Sequence, residues 1–326
     1  MNDFTAHRLR VTAQVESPIL LNEHPGAALR GALFGALRAQ FCCNQAALSC
    51  TGCQLHASCP ICFLVATVDD ASDRGQEVPR PYVINPPLGG PVTTYAAGDT
   101  LEFSLTLFAS AMDLFPYVVL ALKKMEEAGL GRKSPDARGL WQRGRFRVAQ
   151  VEAVNPLTGE RQPVLRQGDN MVTVPNLPIT HAQVLQATAD CQPSVLCLDF
   201  LTPMRLTEHG LPLPRPEFAV LVQRLLERLD SLDRRFAGGG LDPGETYRLV
   251  GLAKGVRLVS DATRWVDLES YSARQGRRNS LSGFVGRASF AGEFAPFLPY
   301  LLWGQFTHAG KGAVKGNGVY EVTCQS

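Results

Sequence analysis

The segment that most directly suggests a chemical task lies near the end of the 326-residue chain. It reads His308-Ala309-Gly310-Lys311-Gly312-Ala313-Val314-Lys315-Gly316-Asn317-Gly318. Glycine permits positive φ and a close approach of the main chain to a ligand, with N–H groups that side chains would otherwise shield. Because two lysines add positive charge, the segment predicts a loop that binds a polyanion, and a phosphodiester backbone is the commonest one.

Two familiar phosphate-binding motifs do not fit this segment. A Walker A loop needs a glycine five residues before its Gly-Lys pair, but Gln305 or Phe306 stands at that position. It also needs a serine or threonine after the lysine, where this chain has Gly312. A dinucleotide fingerprint needs glycine three residues after Gly312, where Lys315 stands. The remaining alternative to polyanion binding is a glycine-rich hairpin with incidental lysines.

A second candidate for chemistry is a cysteine cluster. Six of the nine cysteines fall within 21 residues, as Cys43-x6-Cys50-x2-Cys53-x5-Cys59-x2-Cys62 with Cys42 adjacent. Two Cys-x2-Cys pairs can complete a tetrahedral metal site, and His56 could replace one thiolate. We therefore predict a structural metal held by Cys43, Cys50, Cys53, Cys59 and Cys62. Zinc is favoured, an iron–sulfur cluster stays open, and the alternative is free or redox-active thiols.

Composition indicates an ordinary globular protein of about two domains, with 45% hydrophobic residues, 19% charged residues and a net charge of +2. Positive charge is instead clustered. Residues 131–147 hold six basic side chains and one acidic, and residues 274–287 hold four basic and none acidic. Solvated faces can also have this composition. The first 15 residues do not resemble a secretory signal, and no apolar run approaches the roughly 18 residues of a membrane span, so we expect a cytoplasmic protein.

The elements that must position these residues follow the same order in each half of the chain. In the first half, apolar periodicity predicts strands at 9–15, 80–84, 101–107 and 145–154, with helices from Pro25 to Phe41 and over 115–125. In the second half it predicts strands at 195–206, 256–267, 281–291 and 319–323, with helices over 218–236, 243–254 and 294–306. Each half therefore reads as βαββαβ, the ferredoxin-like order.

The predicted fold class is α+β, with tandem ferredoxin-like (RRM-like) domains. We expect residues 1–190 to form the first domain, with the Cys-rich insertion at 42–62, and residues 191–326 to form the second, with the glycine-rich loop at 308–318. The equivalent of that loop in the first domain, residues 129–144, is also basic and rich in glycine. The aromatic RRM signature is missing, so base stacking on the sheet is not expected.

Several segments resemble the Cas6 family of CRISPR-associated endoribonucleases, which belongs to the RAMP superfamily. They are Phe200-Leu201-Thr202-Pro203-Met204-Arg205-Leu206, Gly283-Phe284-Val285-Gly286-Arg287, and Leu298-Pro299-Tyr300-Leu301-Leu302 leading into the glycine-rich loop. Leu29-Arg30-Gly31-Ala32-Leu33 followed by the cysteines also resembles family members with a Cys-rich insertion. The similarity extends over essentially the whole chain and is most specific from Cys197 onward.

The resemblance implies metal-independent cleavage of precursor CRISPR RNA within its repeats. The ribose 2′-hydroxyl attacks the adjacent phosphorus and leaves a 2′,3′-cyclic phosphate and a 5′-hydroxyl. The expected partners are CRISPR repeat RNA and other CRISPR effector subunits. One alternative is a non-catalytic RAMP subunit that binds guide RNA, and another is a metal-organised protein interaction module.

Histidine is the natural acid or base for this reaction, because its pKa lies near the working pH. Family members often carry a catalytic histidine near the first helix. His24 matches that location and is our first catalytic candidate, with a surface or capping histidine as the alternative. His308 is the second candidate, with a packed helix-end histidine as the alternative. The expected RNA contacts are Arg30, Gly310, Lys311, Gly312, Lys315, Gly316, Gly318, Arg274, Arg277 and Arg278.

Overall fold

The chain folds into two compact units. A computed structural model describes residues 1–47, 50, 52–65, 79–88, 94–136, 138–272 and 277–325. The first unit is His7–Pro178, and the second combines Met1–Ala6 with Ile179–Ser326. The division therefore falls earlier than the predicted boundary at residue 190, and the first six residues belong with the second unit. No helix in the described ranges is long and apolar enough to cross a membrane.

The first unit is built around a five-stranded antiparallel sheet. Its elements are β1 (Thr5–Val15), β2 (Ile19–Leu20), α1 (Pro25–Phe41), α2 (Pro60–Val65), β3 (Tyr82–Asn85), β4 (Thr94–Tyr95), β5 (Thr100–Phe108), a 3₁₀ turn (Ala109–Leu114), α3 (Phe115–Ala128), β6 (Leu130–Pro135), β7 (Trp141–Gly144), β8 (Phe146–Val154) and β9 (Arg161–Arg166). The strand order is β3-β5-β1-β8-β9, whose first four strands have the ferredoxin-like arrangement. The short strands form a second sheet, β4-β2-β6-β7.

Sequence periodicity explains which faces of these elements are buried. Leu9, Val11, Ala13 and Val15 alternate along β1 and are all buried. In α1, Leu29, Leu33 and Leu37 recur at helical spacing and are buried on one face. The intervening β1 residues Arg8, Arg10 and Thr12 point to the other face of the sheet, because successive strand residues alternate.

The second unit repeats the arrangement. Its elements are β10 (Ile179–Thr180), α4 (His181–Thr188), β11 (Val195–Met204), β12 (Thr207–Glu208), β13 (Leu211–Pro212), α5 (Phe218–Phe236), α6 (Pro243–Ala253), β14 (Arg257–Val266), β15 (Glu269–Ser272), β16 (Arg277–Ser280), β17 (Gly283–Ala291), α7 (Leu298–Thr307), a 3₁₀ turn (Ala313–Lys315) and β18 (Tyr320–Gln325). The main sheet has the order β14-β17-β11-β18, again the ferredoxin-like arrangement. β10 pairs with the first residues of β1.

The predicted fold class, tandem ferredoxin-like units, is confirmed. The long periodic segments all form elements of the expected type, because each buries an apolar face against its own sheet. The sequence did not predict β9, β10 or α4, and it read β6–β7 and β15–β16 as basic connections. The structure shows both connections as β-hairpins.

Candidate nucleic-acid interface and catalytic residues

His24 is the N-cap residue of α1, directly before Pro25 at the first helical position. Only 7% of the residue is exposed, and its side chain makes no capping hydrogen bond to the described helix. His24 is therefore not a surface histidine, it occupies the N-cap position without a capping hydrogen bond, and its catalytic role stays a prediction. His24 is a buried histidine at the N-terminus of α1.

The strand that leads to His24 is paired with a basic hairpin. In β2, Leu20 lies opposite Arg132 of β6, and β6 also packs against α1. The hairpin β6–β7 exposes four cations, Arg132, Lys133, Arg138 and Arg143. Glycine permits this packing, because a Cβ at Gly131 or at Gly144 would overlap the backbone next to β2. The predicted first-unit basic loop is thus a hairpin fixed beside the segment that carries His24.

Two features of this hairpin indicate an anionic partner. Lys133 and Arg143 are directly opposite each other across the strands, and like charges in this arrangement repel. Arg143 donates to the backbone oxygen of Gly131 at 3.0 Å, a contact that leaves its charge uncompensated. Phosphates would relieve the repulsion between the two side chains.

An exposed aromatic side chain stands at the tip of the same hairpin. Trp141 is 66% exposed and Leu140 next to it is 59% exposed. The turn before them is ordered by Asp136, whose carboxylate accepts hydrogen bonds from the backbone N–H of Leu140 at 2.8 Å and of Arg138 at 2.9 Å. These hydrogen bonds, first that from Leu140, lower the pKa of Asp136. The tip therefore presents an indole face beside cations, a combination typical of single-stranded RNA binding.

The glycine-rich loop lies in the second unit, between α7 and β18. Its glycines adopt the left-handed conformation, with φ of 72° at Gly310, 84° at Gly312, 84° at Gly316 and 71° at Gly318. The predicted positive φ values are therefore confirmed. A Cβ at Gly310 would lie 2.6 Å from the carbonyl oxygen of Arg205, so the absence of a side chain serves packing inside the protein.

Six backbone N–H groups of this loop form hydrogen bonds within the protein. The backbone N–H groups that donate to carbonyl oxygens of the protein are those of Ala309, Lys311, Lys315, Gly316, Asn317 and Gly318. The expectation that the glycines expose the main chain is wrong for these positions. Lys311 is exposed and Lys315 is half-buried, and their contacts with RNA stay a prediction.

His308 is completely buried at the C-terminal end of α7. It adopts a positive φ of 57°, and its Nδ1 lies 3.1 Å from the carbonyl oxygen of Ala313. His308 is therefore less accessible than His24, which is 7% exposed. The position corresponds to the packed helix-end alternative and favours a positioning role for His308 in the loop.

The other predicted RNA contacts are dispersed. Arg30 lies on α1, half-buried, with its guanidinium 5.8 Å from the centre of the Phe34 ring. This cation–π contact engages the charge that we expected to meet RNA. Arg277 and Arg278 lie in β16, opposite Ser272 and Tyr271. Arg274 lies outside the described residues.

The structure does not support the predicted metal site. In the described part of the chain, no group of three or more histidine, cysteine, aspartate or glutamate residues is arranged to hold a metal ion. Cys43 is exposed and contacts the carbonyl oxygen of Phe41 at 3.9 Å, and Cys53 accepts from Asn44 at 3.7 Å.

The remaining three predicted ligands do approach one another. Burial and the neighbouring thiols of Cys50 and Cys59 raise the pKa of Cys62, so the three sulfurs interact. Interacting thiols are not by themselves a ligand set, because a metal needs thiolates directed at one point. Cys-x2-Cys spacing predicted the proximity of Cys59 and Cys62 but not the direction of each sulfur.

Comparison with known proteins adds to this geometry. Residues 198–320 match the family of CRISPR-associated endoribonuclease Cas6, and residues 4–177 match a family of N-terminal domains. No curated protein matches the chain. Among solved structures, a Cas6 product complex is 16% identical with a TM-score of 0.56, over 98% of this chain and 100% of the other.

Two further structures are similar in fold. Thermus thermophilus Cas6 is 15% identical with a TM-score of 0.54, over 98% of this chain and 99% of the other. A partial Cas6–RT–Cas1–Cas2 complex is 12% identical with a TM-score of 0.60, over 99% of this chain and 47% of the other. At these identities the structural matches show a shared fold.

The fold is that of tandem ferredoxin-like units. Within that class, residues 198–320 match the Cas6 family of CRISPR-associated endoribonucleases. This match supports an endoribonuclease of CRISPR RNA processing.

Proposed function

We propose that this protein cleaves precursor CRISPR RNA within its repeats by metal-independent attack of a ribose 2′-hydroxyl, with His24 as the general base. The observation that carries the proposal is the position of His24, at the N-terminus of α1 beside the basic hairpin β6–β7. The substrate is CRISPR repeat RNA, and other CRISPR proteins are further partners.

The reaction needs a proton acceptor near the 2′-oxygen and positive charge near the phosphorus. Neutral imidazole at His24 accepts the 2′-hydroxyl proton as the oxygen attacks the phosphorus in line. The bond to the 5′-oxygen breaks, and that oxygen takes a proton from water. The products are a 2′,3′-cyclic phosphate and a 5′-hydroxyl. Cations and backbone N–H groups stabilise the charge that develops on the phosphoryl oxygens.

RNA binding is assigned to the exposed cations of each unit. In the first unit, Arg132, Lys133 and Arg143 supply phosphate contacts beside the segment that carries His24. In the second unit, Lys311 supplies one from the glycine-rich loop. Phosphate contacts of this kind fix the position of an RNA and make its affinity fall with salt.

The test is cleavage of repeat RNA in excess EDTA, with an all-ribose substrate and one that carries a single 2′-deoxy nucleotide at the mapped cut. We expect the first RNA to be cleaved and the second to remain intact, since it lacks the attacking oxygen. Cleavage of the deoxy substrate, or loss of cleavage in EDTA, would contradict the mechanism. If both RNAs bind tightly and neither is cut, the protein is a guide-RNA-binding subunit instead.

Trp141→Ala is expected to weaken binding of the 2′-deoxy repeat RNA by about 1–3 kcal/mol, because stacking on one aromatic side chain contributes about that amount. Titration of labelled RNA at fixed salt measures the change. Leu140→Ala is the matched control, since Leu140 is a similarly exposed apolar side chain without a π face. Equal losses for both variants would show that apolar area, not stacking, holds the RNA.

A further inference from the structure

A groove of about 780 Å³ lies on the first unit's sheet, on the face opposite α1 and α3. Six strands and the turn between β8 and β9 contribute to its walls. Arg8 lies opposite Val154, and Val154 lies opposite Arg161, so these three residues form one row across β1, β8 and β9. Asn85 of β3 lies directly opposite Ser104 of β5. The volume is that of a site for a small ligand.

The groove contains polar groups whose bonding capacity is unused. Asn85 is only 4% exposed and Ser104 8% exposed, and both line the groove. Among the described residues, neither side chain has a hydrogen-bond partner, and the half-buried Arg8 has neither a hydrogen bond nor an ion pair. None of these three side chains has a fully buried nitrogen or oxygen without a partner, so their polar atoms open onto the groove. An amide, a hydroxyl and a guanidinium that face one groove therefore indicate a bound polar ligand.

Charge in the groove favours an anion. Arg8, Arg10 and Arg161 face two carboxylates, Glu102 and Glu160. Glu102 is engaged by Arg10 at 2.9 Å, and Glu160 accepts from Thr158 at 2.9 Å. Arg8 and Arg161 are left without a carboxylate partner in the described structure. Burial, followed by the proximity of Arg10, lowers the pKa of Arg8, and the negative charge of a bound anion would oppose this shift.

We propose that this groove binds one nucleotide, with its phosphate on Arg8 and Arg161 and its base edge on Asn85 and Ser104. Guanidinium groups match the geometry of phosphate oxygens, and an amide offers both a donor and an acceptor to a base. Tyr95 also lines the groove. The nucleotide belongs either to a single-stranded segment of the substrate RNA or to a free mononucleotide. The RNA source rests on the proposed function.

Two substitutions test the proposed phosphate contact and the proposed base contact separately. Arg8→Gln removes the guanidinium that would bind the phosphate. Asn85→Asp keeps the shape of the amide but adds a negative charge and removes the donor that would bind the base. Arg166→Gln is the matched control, because Arg166 is an exposed arginine at the end of β9 that does not line the groove. Ser104→Ala is a milder second variant in case Arg8→Gln does not fold.

Affinities are measured for the 2′-deoxy repeat RNA by titration and for adenosine 5′-monophosphate by calorimetry, with full-length protein. We expect Arg8→Gln and Asn85→Asp each to raise the RNA Kd about tenfold or more, since each loses a charge-assisted or buried contact. Arg166→Gln should change it less than about twofold. The cleavage rate at saturating RNA should stay unchanged, because the groove is not the site of chemistry.

The outcomes distinguish substrate RNA from a free mononucleotide as the ligand. They also separate the groove proposal from the proposed function. Unchanged RNA affinity with lost mononucleotide binding would support the groove and assign it to a free nucleotide. Unchanged affinity for both ligands in both variants would overturn the groove. If the wild-type protein neither binds nor cleaves repeat RNA, the proposed function fails, and the mononucleotide titration still decides the groove.

Discussion

His24→Ala is expected to lower the single-turnover rate of repeat cleavage by about 10²–10⁴-fold, the usual contribution of a positioned general base. Affinity for the 2′-deoxy RNA should change less than about threefold, because the hairpin cations that we assign to binding are untouched. The physical reason is that removal of the imidazole leaves the 2′-hydroxyl to lose its proton to water. Rates are measured at saturating enzyme, so that binding does not enter them.

Two controls separate a catalytic from a structural role of His24. Free imidazole added to His24→Ala should restore part of the rate in proportion to its concentration, which a purely structural defect would not allow. His209→Ala, at an exposed turn of the second unit, should cleave at the wild-type rate. A His24→Ala variant that cleaves normally would show that another group is the base, and a variant that no longer binds RNA would assign His24 to binding.

Much of the fold could be predicted because the elements are long and periodic. Each apolar stripe, such as Leu29, Leu33 and Leu37 on α1, buries one face against a sheet of its own unit. The order strand, helix, strand, strand, helix, strand then leaves few topologies. Short elements such as β10 were missed, because two residues carry no period.

The candidate site was less predictable, because the spacing of residues in the sequence does not determine the direction in which each group points. The glycine-rich loop has the predicted positive φ values, yet six of its N–H groups donate to carbonyl oxygens of the protein. The cysteine spacing predicted that sulfurs would lie close together, but it did not determine whether they would be arranged around a metal ion. The groove around Arg8 and Asn85 contains residues that are far apart in the sequence. The alternation of polar and apolar residues in β1 was the sequence feature that indicated which side chains lie on this face. Arg8 and Arg10 alternate with the buried Leu9 and Val11, which places them on the open face.

Gly318→Ala is expected to destabilise the second unit by about 2–5 kcal/mol, the combined effect of backbone strain and overpacking. Gly318 has φ of 71°, and an added Cβ would overlap the carbonyl oxygen of Ala309. The backbone there cannot shift freely, since Gly318 donates to Pro203 and accepts from Ala309, both at 3.1 Å. Urea denaturation of the full-length protein, followed by tryptophan fluorescence, measures the loss.

Gly238→Ala is the matched control for the backbone strain alone. Gly238 lies in the same unit with φ of 74°, but no atom comes within 4 Å of an added Cβ. It should therefore cost only about 1–2 kcal/mol, the strain of the left-handed conformation. The difference between the two variants isolates the close packing of the loop.

The same pair of variants decides between the two interpretations of the glycine-rich loop. If its glycines serve internal packing, Gly318→Ala lowers stability more than Gly238→Ala does, and RNA affinity of the folded protein changes little. If instead the glycines let RNA approach the main chain, Gly318→Ala would be as stable as Gly238→Ala and would bind RNA more weakly. The inward hydrogen bonds of Ala309, Lys311 and Gly318 favour the first outcome.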